Sequence, residues 1–255
     1  MSDSSMEASL ADSTQSQRGP SAATGGGKIH HIAIVSAGVG EPSTTTELAR
    51  GIALKTGELL KNRGAHSEIA LIELKNLSND IAIASVTLQI SPALQEALQT
   101  VQNSDAVIVA SPVYKATYSG LFKSFWDIAD SDIVLGLPLA VVATGGSERH
   151  ALVPDTAMRS LFAFMRALIV PTGVMAATGD WGSSDLAAHQ DRVAAELSAL
   201  VMAHVHQNLL DSVGGKYTRT FKATFDDDAD SKQSDVAADI DFDSSLMHLA
   251  AGGSL

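Results

Sequence analysis

The stretch Ala106-Val-Ile-Val-Ala110-Ser-Pro-Val-Tyr-Lys-Ala-Thr-Tyr-Ser-Gly-Leu-Phe-Lys123 decides the fold. Its first five residues are apolar and largely β-branched, and they stop at Ser111-Pro112. Such a run reads as a buried strand ending at a turn. In an open parallel sheet, ligands sit in the crevice just beyond strand carboxyl ends. The residues that follow offer backbone amides, Tyr114 and Tyr118, and Lys115 and Lys123, a set suited to a flat, anionic molecule.

Outward from that run, strand-length apolar segments alternate with segments of helical period. Ile29 to Val35 predicts the first strand, and Thr44 to Asn62 a helix with Leu48, Ile52, Leu59 and Leu60 on one stripe. Thr44-Thr-Thr-Glu47 matches a capping box, and Gly64 follows the helix end. Ser67 to Leu74 predicts the second strand. Ser91-Pro92 opens a helix, with Ser as cap and Pro at the first helical position. After the third strand come a helix from Gly120 to about Asp130 and a fourth strand from Leu137 to Ala143. Pro154 to Arg166 predicts a helix, Leu168 to Ala176 a fifth strand, and Ser184 to about Leu210 one long last helix. This alternation implies an α/β fold: a doubly wound, five-stranded parallel sheet between two helix layers. Five strands favour the flavodoxin-like order 2-1-3-4-5 over the six-stranded dinucleotide fold.

Composition bounds the rest. The chain has 255 residues, of which 45% are hydrophobic, enough for a sizeable core. It contains no cysteine, which excludes disulfides and thiolate chemistry and suits the cytoplasm. No apolar run approaches the roughly 20 residues of a membrane span, and the N-terminus lacks the apolar region of a secretory signal. A net charge of −12 argues against nucleic acid as partner. Between residues 226 and 243, eight aspartates against Lys232 alone account for −7 of it. Residues 1–27 and 214–255 have the composition of disordered tails, leaving 28–213 as one domain.

The predicted sheet brings three loops to one edge. After the first strand, Ser36-Ala-Gly-Val-Gly-Glu-Pro-Ser-Thr-Thr-Thr46 is neither a Walker loop nor Gly-x-Gly-x-x-Gly. It does supply the hydroxyls of Ser36, Ser43, Thr44, Thr45 and Thr46 at a helix N-terminus, where free amides bind phosphate. After the third strand, Pro112, Val113, Tyr114 and Lys115 can line a ring edge. After the fourth, Thr144-Gly145-Gly146-Ser147 can bring bare backbone against a planar ring. A phosphate at the first loop and a flat heterocycle across the other two describe a mononucleotide, and FMN fits best. Competing chemistries find less support. No Gly-x-Ser-x-Gly elbow is present. His204 and His206, two apart on the predicted last helix, point about 200° apart, and His30 and His31 point to opposite faces of a strand.

Taken together, these residues resemble the NADPH-dependent FMN reductase family, and most closely the branch that supplies reduced flavin to a separate monooxygenase. Ser91-Pro-Ala-Leu, Ala110-Ser-Pro-Val-Tyr-Lys-Ala-Thr-Tyr-Ser-Gly, Ala143-Thr-Gly-Gly-Ser and the run from Ala167 to Ala176 carry the likeness, which spans residues 29–182. It implies FMN phosphate on Ser36 and on Ser43 to Thr46, a ring lined by Pro112 to Lys115, and closure by Thr144 to Ser147. Tyr118 matches a tyrosine on a one-residue π-bulge in the flavin-donating branch, which implies exchangeable flavin. Val39-Gly-Glu-Pro42 departs from the family's arginine-bearing first loop, leaving FMN over FAD and NADPH over NADH open. The resemblance also implies a homodimer or homotetramer, with the apolar helix that bears Leu121, Phe122, Phe125 and Trp126 at a subunit interface.

The cofactors perform such a reaction and the protein orients them. Hydride would pass from the nicotinamide to the flavin, with Lys115 as an electrostatic helper beside the ring and Tyr118 governing flavin turnover. Arg149 and His150, just past the Gly-Gly loop, are candidates for the NADPH 2′-phosphate. Three other readings stay open: an FMN-bound quinone or azo reductase, a flavodoxin-like electron carrier, and a flavin-free interaction protein.

Overall fold

A computed structural model describes residues 28–213; the two tails that composition assigns to disorder lie outside the described residues. In chain order the elements are β1 (Ile29–Ser36), α1 (Thr44–Asn62), β2 (His66–Glu73), α2 (Ser78–Thr87), α3 (Pro92–Gln102), β3 (Ala106–Tyr114), β4 (Thr117–Tyr118), α4 (Gly120–Ile128), β5 (Pro138–Gly145), α5 (Arg159–Phe164), β6 (Leu168–Ile169), β7 (Val174–Ala177), α6 (Ser184–Met202) and α7 (Val205–Val213). The parallel strands run β2-β1-β3-β5-β6, and β7 takes over beside β5 where β6 has ended. This is the expected order 2-1-3-4-5.

Residue parity along the strands builds the three layers. Ala33, Val35, Val107, Val109, Leu139 and Val141 face one core with α2 to α5; Ile32, Ile34, Ile108, Ala140 and Val142 face another with α1 and α6. Successive strand residues point to opposite faces, so a strand buried on both reads as a continuous apolar run. Phe122, Phe125 and Trp126 of α4 are buried in the chain's own core, where Phe122 and Trp126 meet Phe162 edge to face at 6.0 and 4.9 Å. The apolar character of α4 is thus used within this chain. Exposed apolar side chains stand instead on and just after α2, at Ile83, Val86 and Leu88.

Five expectations need correction. First, β3 does not stop at Ser111-Pro112 but runs to Tyr114. Ala37 N–H donates to the Ala110 carbonyl, so Pro112, of the same parity, turns its peptide nitrogen toward the β1 side after β1 has ended. Its missing N–H leaves no gap in the ladder. Second, β3 turns back through Lys115 and Ala116 into β4, so Tyr118 lies in a strand opposite Val113 rather than on a π-bulge. The π-type turn lies at Pro154–Met158, at the head of the helix expected over 154–166. Third, the fifth strand is split at residues 170–173. There Arg159 donates to the carbonyls of Val170 and Pro171 (3.1 and 3.0 Å), and Glu196 accepts from the Thr172 N–H and hydroxyl (2.9 and 2.7 Å). Side chains replace the ladder that the split removes. Fourth, the last helix breaks at His204, whose φ of 49° is left-handed; His204 and His206 therefore do not share a helix. Fifth, α2 was not expected, because it has neither a side-chain cap nor a polar-apolar stripe.

Candidate functional site

The site starts from a helix cap. Ser43 precedes α1 in an extended conformation, and its Oγ accepts from Thr46 N–H at 3.2 Å. That bond satisfies one orphan donor and leaves the first-turn N–H groups of Thr44 and Thr45 aimed out of the helix end, where its dipole is positive. Buried Ser36 holds this end in place: its hydroxyl bonds that of Thr46 at 2.9 Å and accepts from Gly38 N–H at 3.2 Å. Gly38 must lack a side chain, since a Cβ there would lie 1.9 Å from Ser43 Oγ.

Register then aligns the remaining walls. Pro112 pairs with Thr144, and Thr144 with Ala176, so β3, β5 and β7 end side by side. The buried hydroxyls of Thr45 and Thr144 bond each other at 2.6 Å, latching the end of α1 onto the end of β5. Ser111 braces the hairpin, accepting from Ser119 N–H at 2.9 Å, while Ser119 caps α4 through Phe122 N–H.

These ends enclose a cleft of about 440 Å³, lined by residues of the first loop (Val39, Gly40, Pro42 to Thr45), by Pro112, Val113 and Tyr114, by Thr144 to Gly146, and by Ala176, Thr178 and Trp181. That volume lies within the range of about 300–1,000 Å³ usual for small-molecule sites. Gly146 presents bare backbone with nothing within 4 Å of where a Cβ would stand, so a planar group can approach it closely. Hydroxyls and helix amides at one end, and proline, glycine and aromatic surface at the other, fit a molecule with an anionic tail and a flat ring.

Nine sequence-predicted residues line this cleft: Ser43, Thr44, Thr45, Pro112, Val113, Tyr114, Thr144, Gly145 and Gly146. Seven do not. Ser36 and Thr46 are spent on each other behind it. Lys115 occupies the exposed hairpin turn, and Tyr118 packs on Phe122 with ring centroids 5.5 Å apart. Ser147 caps the short turn carrying Arg149 and His150, bonding Arg149 N–H at 3.3 Å, and this turn directly follows the cleft-lining Gly146.

Sequence reasoning missed Thr178 and Trp181. Their signal was Gly179-Asp-Trp-Gly182, an aromatic between glycines just past the fifth strand. It also missed a clasp on the first loop. Lys75 donates to Glu41 at 2.6 Å, a bond that holds the Glu41 carboxyl below its ordinary range and raises the Lys75 ammonium. Among the described residues, no three His, Asp or Glu side chains gather to hold a metal, and no single helix is long and apolar enough to cross a membrane.

Known proteins match this architecture. The family profile described as NADPH-dependent FMN reductase matches residues 31–182. An NADH-dependent FMN reductase of Pseudomonas putida is 34% identical over 170 residues, covering 65% of this chain and 89% of that one. An FMN reductase (NADPH) of Pseudomonas aeruginosa is 34% identical over 150 residues, covering 59% and 78%. Among solved structures, an oxidoreductase from Corynebacterium diphtheriae superposes with a TM-score of 0.67 at 39% identity, covering 69% of this chain and 98% of that one. The apo form of an NADH:FMN oxidoreductase superposes with a TM-score of 0.58 at 26% identity, covering 67% and 89%.

Proposed function

We propose that this chain, which belongs to the NADPH-dependent FMN reductase family, seats FMN in the cleft at the ends of β1, β3, β5 and β7 and releases it reduced to a partner. Membership makes it an NAD(P)H-dependent FMN reductase. The observation that carries the proposed pose is the Thr45–Thr144 latch, which sets phosphate-binding amides beside the bare backbone of Gly145 and Gly146.

The flavin, when bound, supplies the hydride-accepting chemistry. The chain's residues do the placing. Thr44 and Thr45 N–H groups and the hydroxyls of Ser43 and Thr44 hold the phosphate, while those of Ser36, Thr45 and Thr46 brace the cradle. Pro112 to Tyr114 and Thr144 to Gly146 orient the ring by shape and exclude water from its buried side. Lys115, next to the wall at Tyr114, offers positive charge at the mouth. Tyr118 acts through the wall, pairing opposite Val113 and packing on Phe122; it is a positioning residue. Arg149 and His150 are proposed to take the NADPH 2′-phosphate, supported by their place in the turn just after the cleft-lining Gly146.

The finer assignments rest on the same geometry. A half-exposed Tyr114 at the mouth suits a flavin that exchanges, hence delivery to a flavin-dependent monooxygenase in the cytoplasm, where NAD(P)H is replenished. The exposed apolar residues around α2 support a homodimer or homotetramer. Steady-state oxidation of NADPH and NADH with no flavin, FMN, FAD or riboflavin tests the core of the reading. Turnover that requires added FMN is expected. No oxidation with any flavin would overturn it, and stoichiometric flavin surviving gel filtration would make FMN a resident group instead.

A further inference from the structure

Trp181 is the one large aromatic on the cleft that neither sequence motif nor register calls for. It follows the turn Thr178–Asp180, leads through Gly182 (φ 83°) to Ser183, the cap of α6, and is 40% exposed. The turn beneath it is fixed. Asp180 Oδ2 accepts from Ala177 N–H at 2.7 Å, its carbonyl accepts from Ser183 N–H at 3.0 Å, and Ser183 Oγ accepts from Leu186 N–H at 3.1 Å. An indole with so much surface in water, on a segment held by three hydrogen bonds, is preorganised for something outside the chain.

The sheet order says where it stands. β5 lies between β3 and β7, so the Gly145–Gly146 floor has Tyr114 toward one side and the turn bearing Trp181 toward the other. Tyr114, 50% exposed, also lines the cleft. Tyr114 and Trp181 are the two aromatic side chains among the cleft's lining residues. Aromatic pairs prefer offset-stacked or edge-to-face contact with the partner ring.

We propose that Trp181 stacks on the isoalloxazine ring and sets flavin affinity and retention, a specificity-determining role separate from the phosphate cradle. The proposal rests on the cleft being the FMN site. Because the contact is with the ring, it is blind to the phosphate and binds riboflavin as well as FMN.

The test is equilibrium titration of the full chain with FMN and with riboflavin, followed by flavin fluorescence, for wild type, W181A and W181F. Removing an aromatic stacking partner should weaken both ligands by the same factor, about tenfold, and W181F should recover most of it. Trp181 is 40% exposed and the rest of its surface packs on the chain, so W181A is expected to lower the thermal midpoint and W181F to keep it close to wild type. Ser43→Ala supplies the contrast, weakening FMN more than riboflavin. Unchanged flavin affinities in W181A overturn the proposal, as does a loss confined to FMN, or unaltered flavin binding with a raised KM for NAD(P)H, which would give the indole to the nicotinamide. If wild-type protein binds neither flavin, the FMN site itself is misassigned.

Discussion

Replacing Thr45 or Thr144 with valine removes one hydroxyl from a buried pair while nearly conserving volume. Each hydroxyl bonds the other at 2.6 Å, and both residues are almost fully buried. A single substitution therefore leaves one hydroxyl dry and unpartnered, at about 1–3 kcal/mol. Removing both leaves two apolar groups in contact, which is close to neutral. The double mutant should thus be more stable than the sum of the singles predicts, with a coupling of about 1 kcal/mol or more. For a domain of this size each kcal/mol moves the thermal midpoint by about 2–4 °C, so the singles fall well outside measurement error. Urea unfolding of the four proteins, with FMN affinity measured in parallel, closes the cycle. Additive losses would show that the two hydroxyls are not coupled and that no latch joins α1 to the floor.

Three further outcomes follow from local geometry. Gly38→Ala puts a Cβ where Ser43 Oγ now sits, 1.9 Å away, and displaces the cap of α1; a loss of about 1–2 kcal/mol and weaker binding of FMN than of riboflavin are expected, and retained FMN affinity would refute the cradle. Lys115 and Ala116 hold φ of 53° and 71°, conformations that suit Asn-Gly; K115N/A116G should raise stability by about 1–2 kcal/mol, and an unchanged urea midpoint would show the turn to be unstrained. His30 is 2% exposed, and burial lowers its pKa despite the pull of Asp105, with Lys28 also lowering it. Its proton then prefers the unfolded chain, so stability is full above about 6.5 and declines as pH falls toward the lowered folded value. Burial alone would raise Asp105, but the His31 N–H bond, Lys28 and His30 outweigh it and hold the carboxyl low, so its contribution is lost only at pH below about 3.9. Urea midpoints at pH 7.5 and 5.5 for wild type and His30→Asn should show the smaller decline in the variant; equal declines would sink the assignment.

Where the signal was local, the sequence was legible. α1 spans the expected residues because stripe and terminal glycine lie within the segment itself, although Ser43, and not Thr44 of the expected capping box, is its cap. α3 begins at Pro92 with Ser91 as its cap for the same reason. The strand order followed from apolar runs that could be buried only on both faces. What was hidden depends on distant partners. α2 shows no stripe because it contributes only Ile81 and Ala84 to the core. The hairpin was hidden by a Lys-Ala turn with no glycine or asparagine to announce it. The split fifth strand is tolerated only because Arg159 and Glu196 arrive from elsewhere to satisfy its backbone. In the site, the three loops were readable from their residue types. The fourth wall was not, because a lone tryptophan in a turn resembles any exposed aromatic until its neighbours are known.

In the proposed pose the first loop grips the phosphate with dipoles and hydroxyls; between Ser36 and Thr46 it has no basic residue, and its one acid, Glu41, is occupied with Lys75. The chain as a whole carries −12. FMN, itself an anion, therefore approaches against the long-range field and in the proposed pose is held at short range by groups that salt screens little. Added salt should then speed FMN arrival while leaving its departure nearly untouched. For FMN, encounter and grip are thus physically separate, and ionic strength acts on the first alone.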